Sequence, residues 1–283
     1  MKKVTVSNLL EKKKRHEKIT ALTAYDAALA EILDRVGIDL ILVGDSVGMV
    51  LLGYPSTRFV TMEEMIHHAK AVRRGVKRAY LVGDMPYRSY ENAKTAYRNA
   101  SRFLEAGCDA VKLEGGKRIL PALRFLRKKK IQVQGHLGLL PQSVLPGSPF
   151  RLQAKDPLSA KRLIEEASLL QGEGVFSIIL ECIPYEVGRM ATQRLKIPTL
   201  GIGAGPFCDG QILVTYDLLG LFQKFKPRFV KSYADLTQSV ARAVSAYQEE
   251  VLSRSFPTLH HSFQMSKDAL KQLHASMPSQ LHV

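Results

Sequence analysis

Residues 39–46 read DLILVGDS and residues 176–181 read FSIILE. Each contains a short, almost uninterrupted apolar run that leads to an acid, Asp45 or Glu181. A strand apolar on both sides belongs to a sheet covered on both faces, which is the situation of a parallel sheet flanked by helices. Working outward, the same unit recurs along the chain: a short β-branched run, a turn, then a segment with helical period, the pattern of βαβ construction. Strands are predicted at 19–24, 39–43, 79–82, 110–113, 131–134, 175–180 and 199–202, and an eighth, less clearly marked, within 211–221. The helices between them are predicted at 27–35, 63–74, 93–105, up to Lys128, 158–170 and 185–195. Eight units favour a closed (β/α)8 TIM barrel. A doubly wound open sheet stays open as an alternative, although no GxGxxG opens a helix after the first strand and GIGAG at 201–205 comes too late for that role.

The 283 residues, 46% hydrophobic and 24% charged, suffice for one barrel. No apolar run reaches the roughly 18 residues of a membrane span, and the lysine-bearing start has no apolar stretch behind it, so a cytoplasmic location without membrane contact is expected. Cys108, Cys182 and Cys208 lack CxxC or zinc spacing and are expected to be reduced and structural. The net charge of +15 is concentrated at 12–15 (KKKR), 124–130 (RFLRKKK) and 224–231 (KFKPRFVK). None of these runs carries the aromatic interleaving or finger spacing of a nucleic-acid reader, so they are read as solvated helix ends and loops, and no nucleic-acid partner is expected. Attraction of an acidic small molecule is the second reading.

The ionisable residues gather at strand ends. Strand two leads into Gly44, Asp45 and Ser46, and strand three into Gly83 and Asp84. Strand four carries Lys112 and Glu114, strand five leads to His136, and strand six to Glu181. In a parallel barrel these ends share one face, so residues far apart in sequence meet there. Singly, each has an ordinary explanation: Asp45 as an N-cap, Lys112 paired with Glu114, His136 as a satisfied structural histidine. Glu181, directly after FSIIL with no helix to cap at once, does not. Carboxylates without histidine or cysteine at zinc spacing make a hard oxygen site of the kind Mg²⁺ takes, with positions left for water and substrate. A 2-oxo acid fills two such positions, its keto group is polarised, the neighbouring C–H becomes acidic, and an acid residue accepts that proton.

At these residues the chain closely resembles the ketopantoate (3-methyl-2-oxobutanoate) hydroxymethyltransferases. The matching text includes ITALTAYDAALAEILDRVGIDLILVGDSVGMVLLGYPSTRFVTMEEMIHHAKAVRRG, GDMPYRSY, EAGCDAVKLEGG, GHLGLLPQSV, IILECIP and IPTLGIGAGPFCDGQILV, and runs from about Val4 to Phe263. The resemblance implies a barrel of the phosphoenolpyruvate/pyruvate type over 1–263 with a tail at 264–283. It also implies transfer of a hydroxymethyl group from 5,10-methylenetetrahydrofolate to 3-methyl-2-oxobutanoate, giving 2-dehydropantoate on the way to pantothenate and coenzyme A. By motif, it implies Asp45 and Asp84 as Mg²⁺ ligands with Glu114 beside the metal, and Asp45, Ser46, Asp84 and Lys112 as oxo-acid contacts. It further implies His136 as another polar group of the site, Glu181 as proton acceptor, and a homodecamer of two pentamers; it assigns no folate-contacting residue.

The chain departs from the family pattern at Gly83, where Ala is usual, at Leu140, where Thr is usual, and in the loop LPGSPFRLQAK at 145–155. Isocitrate-lyase-like relatives, a rival reading, carry a KKCGH-type cysteine motif that is missing here. For GIGAG, close backbone packing is preferred over phosphate binding.

Overall fold

The computed structural model describes residues 2–224 and 227–277. Phe225 and Lys226 of the third basic run, and residues 278–283 of the expected tail, lie outside them. Eight strands close into a barrel in chain order: β1 (Ile19–Thr23), β2 (Leu40–Val43), β3 (Tyr80–Asp84), β4 (Ala110–Glu114), β5 (Val133–Gly138), β6 (Ser177–Glu181), β7 (Thr199–Ile202) and β8 (Gly210–Leu213). All pairings are parallel, and β8 returns to β1 with Ile19 opposite Gly210. The expected barrel is what the chain forms, and the open sheet is excluded. Only β5 differs appreciably from its prediction. The Ile131 amide is still taken by the Leu126 carbonyl at the end of helix Leu120–Lys128, so the strand starts at Val133 and runs on through His136.

Successive side chains of a strand face opposite sides, and the two apolar clusters follow that period. Leu81, Val111, Leu113, Val133, Leu137, Ile178 and Leu180 point outward into the layer shared with the helices. Tyr80, Val82, Ala110, Ile179, Leu40, Leu42 and Ile212 fill the barrel interior. Counting on by twos along the inner face reaches Asp84 on β3, Lys112 and Glu114 on β4, Gln134 and His136 on β5, and Glu181 on β6.

The opposite end of the barrel is closed by helix α1 (Val6–Lys14), which is capped by Thr5 and buries Leu9. Asp39, Asp109 and Asp209 each stand just before a strand and accept a backbone N–H from the preceding one: Thr20 (3.0 Å), Leu81 (2.9 Å) and Thr199 (2.8 Å). Lysines from the N-terminal segment then pair with all three. Lys12 reaches Asp39 and Lys13 reaches Asp209, each at 2.7 Å, while Lys3 contacts Asp109. Lys12 and Lys13 of the first basic run, together with Lys3, thus brace the barrel floor at three points, in place of the solvated position expected for that run.

The compact units divide between Ala234 and Asp235, ahead of the boundary expected at 263. That expectation followed the length of the resemblance, which does not report packing. The second unit comprises helix Leu236–Leu252, capped by Asp235, and helix Lys267–Ser276, capped by Ser266, with Phe256 placed between Tyr247 and His261. All three cysteines are free. Among the described residues no helix is long and apolar enough to cross a membrane.

Gly83 faces the helix layer, where a Cβ would stand 2.2 Å from Cδ1 of the fully buried Phe103. Phe103 therefore occupies the space that a side chain at position 83 would need. Gly83→Ala is expected to cost about 1–3 kcal/mol by overpacking, and Phe103→Leu in the same chain to recover most of it. Thermal unfolding of the two single variants and the double variant reads this coupling; additive effects would disprove it.

Candidate active site

The inner-face residues converge at the C-terminal mouth of the barrel, around a cavity of about 110 Å³ lined by Asp45, Ser46, Asp84, Lys112, Glu114, His136 and Glu181, among others. Asp84 ends β3, and one of its oxygens accepts the Asp45 amide at 3.1 Å, so the turn after β2 is fastened to β3. Lys112 donates to both Asp84 oxygens at 2.7 Å and approaches Glu114 at 3.4 Å. His136 lies between two acids, Nδ1 at 3.4 Å from Glu114 and Nε2 at 3.1 Å from Glu181. These are ion-pair distances without hydrogen-bond alignment, since neither ring nitrogen has a well-directed partner. Asp84, Lys112, Glu114 and His136 have almost no exposure, whereas Glu181 keeps 12% of its side chain open to the cavity. Ser46 shares a 2.9 Å hydrogen bond with the Tyr25 hydroxyl.

Burial and like charge work together on the two aspartates. Burial first, and then the charge of Asp84, pushes Asp45 well above the ordinary carboxylate range; burial also raises Asp84, although Lys112 opposes the rise. Burial would strip the charge from Lys112, but Asp84, Glu114 and Asp45 outweigh it and hold the ammonium above the usual lysine range. For Glu114 burial is overcome by Lys112 and His136, which lower its pKa. Burial works against the His136 charge too, yet contacts with Glu114 and Glu181 raise it to about 9, so the ring is a cation at neutral pH.

Every site residue expected from the sequence lines this one cavity. Sequence reasoning missed the groups that hold them. Gln142, in the turn after β5, donates from Nε2 to Asp45 (2.9 Å) and to the Met85 carbonyl (2.9 Å), and from its amide to Glu114 (3.1 Å). Tyr90 donates to Gln142 Oε1 at 2.6 Å and accepts the Glu114 amide at 3.3 Å. A glutamine after a proline and a tyrosine in a loop carry no periodic signal, and only their presence inside the quoted GDMPYRSY and GHLGLLPQSV blocks marked them. GIGAG serves packing: Gly203 has φ +63°, and a Cβ there would stand 2.6 Å from the Phe229 ring, which lines the cavity.

The model of the family described as ketopantoate hydroxymethyltransferase matches residues 3–259. The chain belongs to this family. A 3-methyl-2-oxobutanoate hydroxymethyltransferase of Syntrophomonas wolfei is 50% identical over 276 residues, covering 97% of this chain and 100% of that one. The chain is accordingly an enzyme, a hydroxymethyltransferase. Solved structures share the barrel fold. A 2,3-dimethylmalate lyase described as a phosphoenolpyruvate mutase/isocitrate lyase superfamily member is similar at TM-score 0.57 and 15% identity, over 95% of this chain and 94% of its own. A phosphonopyruvate hydrolase in complex with oxalate and Mg²⁺ gives 0.57 and 12%, over 96% and 95%. At such identities the likeness concerns the fold.

As to a metal, no three His, Cys, Asp or Glu side chains form a cage among the described residues. Two buried carboxylates that repel one another do face the cavity, and Mg²⁺ takes one or two carboxylates and leaves the rest to water and ligand. The donor set of Asp45 and Asp84 therefore fits the ion. The raised pKa values have a consequence for stability. A carboxyl raised on folding contributes stability at low pH that is lost as pH rises through its folded pKa. Metal-free Asp45→Asn should thus melt higher than the metal-free parent at pH 7–8, by several degrees, each kcal/mol being worth roughly 2–4 °C in a domain of this size. The gap should narrow as pH falls toward the ordinary carboxylate range, and Mg²⁺ should raise the melting temperature of the parent but not of the variant. Equal melting of the two metal-free proteins at pH 8 would show that Asp45 carries no such strain.

Proposed function

We propose that the enzyme transfers a hydroxymethyl group from 5,10-methylenetetrahydrofolate to 3-methyl-2-oxobutanoate, giving 2-dehydropantoate, by way of the enolate of the oxo acid. The observation that carries this reading is the sharing of one cavity by the buried Asp45–Asp84 pair and Glu181, the acid that keeps access to it. The named relatives and the matched family support the same reaction.

Asp45 and Asp84 would hold Mg²⁺, with Glu114 beside them. When bound, the ion supplies a Lewis acid for the keto oxygen and positive charge for the enolate. Lys112, charged and anchored on Asp84, adds a fixed cation on the same side of the cavity, where low dielectric strengthens its pull on an anionic substrate. Ser46 offers a hydroxyl already oriented by Tyr25. Glu181 accepts the proton from C3 of the oxo acid, while the His136 imidazolium, 3.1 Å away, orients its carboxylate. C3 then forms the new carbon–carbon bond to the methylene carbon. Both carbon–nitrogen bonds of that methylene break; water furnishes the hydroxyl group, and the second proton of that water and the C3 proton taken up by Glu181 go to the two nitrogens of the departing tetrahydrofolate. The place of this reaction at the first step of pantothenate synthesis, a cytoplasmic location, a homodecameric assembly and the absence of nucleic-acid partners belong to the same proposal.

Proton exchange at C3 of 3-methyl-2-oxobutanoate in D₂O, followed by NMR without any folate, tests the core of it. Exchange should require Mg²⁺, cease with EDTA, and fall by on the order of 10²–10⁴ in Glu181→Gln, the range a positioned base supplies. If no exchange occurs even with tetrahydrofolate added, the enolate route is wrong.

A further inference from the structure

One ionisable group among the described residues lining the cavity has no part in the reaction above. Asp217, on the short helix Thr215–Leu218 after β8, lines the same cavity as Glu181. Its main-chain carbonyl accepts from Ser232, but burial alone acts on its carboxyl, raising it to about 6, and no described donor satisfies it. A partly buried carboxylate left without donors inside a barrel mouth is costly unless a ligand supplies them.

The cavity is continuous with an outer groove of about 700 Å³. The two share Met49, Thr57, Pro141, Phe150, Phe222, Pro227 and Phe229, and Lys224 and Arg228 line only the outer part. The inner space suits a small acid. The combined space has a mostly apolar waist with three phenylalanines, a carboxylate lining its inner part and two cations lining its outer part. Tetrahydrofolates have the complementary layout: a flat pterin whose N3–H and 2-amino group form a two-donor edge, an aromatic linker, and a tail of glutamate carboxylates. The reacting methylene is attached at the pterin end. For it to meet an enolate formed beside Glu181, the pterin has to enter the inner cavity and the tail has to leave through the groove.

We propose that Asp217 is the specificity-determining residue for the one-carbon donor. It accepts the N3–H and 2-amino edge of the pterin in a two-point contact, with the ring against Phe222 and Phe229 and the tail carboxylates on Lys224 and Arg228. This rests on the folate reading above and adds the orientation of the donor.

Steady-state kinetics with 5,10-methylenetetrahydrofolate, paired with the folate-free exchange assay, tests it. Asp217→Asn should raise KM for the donor at least tenfold more than it alters the exchange rate. Arg228→Ala should lower the preference for a triglutamyl over a monoglutamyl donor several-fold. Without any substitution, 6-methyltetrahydropterin should inhibit the parent enzyme at least tenfold better than its analogue lacking the 2-amino group, which keeps the test valid if Asp217→Asn does not fold. An unchanged donor KM in a folded Asp217→Asn, or equal inhibition by the two pterins, would overturn the inference while exchange by the parent enzyme leaves the enolate reading standing. Absence of exchange in the parent enzyme would remove both.

Discussion

Charge has to balance at the dry end of the barrel. Asp45, Asp84 and Glu114 are buried together with Lys112 and His136, and Glu181 stands just above them. Two cations facing four acids leave a deficit of positive charge, and the protein alone meets it by keeping Asp45 reluctant to ionise. A divalent ion closes the balance, whereas one protonated acid closes half of it, and such an ion is also a catalyst for enolisation. The neighbouring hydrogen bonds serve this balance: Gln142 holds the Asp45 and Glu114 carboxylates in place without adding charge, and Tyr90 holds Gln142.

The two ends of the barrel use ion pairs for different ends. At the floor, three aspartates each tie a strand to its predecessor, and lysines of the N-terminal segment neutralise them near solvent. Those carboxylates are fully committed. At the mouth, Asp84 is paired, but Asp45, Glu181 and Asp217 face open space, and that incomplete satisfaction is what a ligand can use. Exposed pairs such as Lys3–Asp109 contribute little each, while the backbone N–H bonds accepted by the same aspartates fix strand register.

Packing, not chemistry, accounts for Gly83. Gly83 precedes Asp84 but faces away from it, toward Phe103, so the missing methyl is felt in the helix layer and not at the carboxylate. GIGAG shows the same logic: its Gly203 gives room to Phe229, which forms a wall of the cavity without contributing polar chemistry.

Runs such as DLILVGDS and FSIILE carry their own evidence for buried parallel strands, because the period of two and the absence of polar residues are local properties of the chain. Asp45, Asp84, Lys112, Glu114, His136 and Glu181 were legible for the same reason, as charges at the edge of apolar strands, and the family resemblance supplied their roles. The start of β5, the bracing lysines, Gln142, Tyr90 and Asp217 were not legible. Their function depends on a partner distant in sequence, as with Gln142 and Asp45, 97 residues apart, or on the lack of any partner, and neither can be computed from neighbours along the chain. Only closure of eight strands brings such groups to one cavity, where burial and proximity decide which of them carry charge.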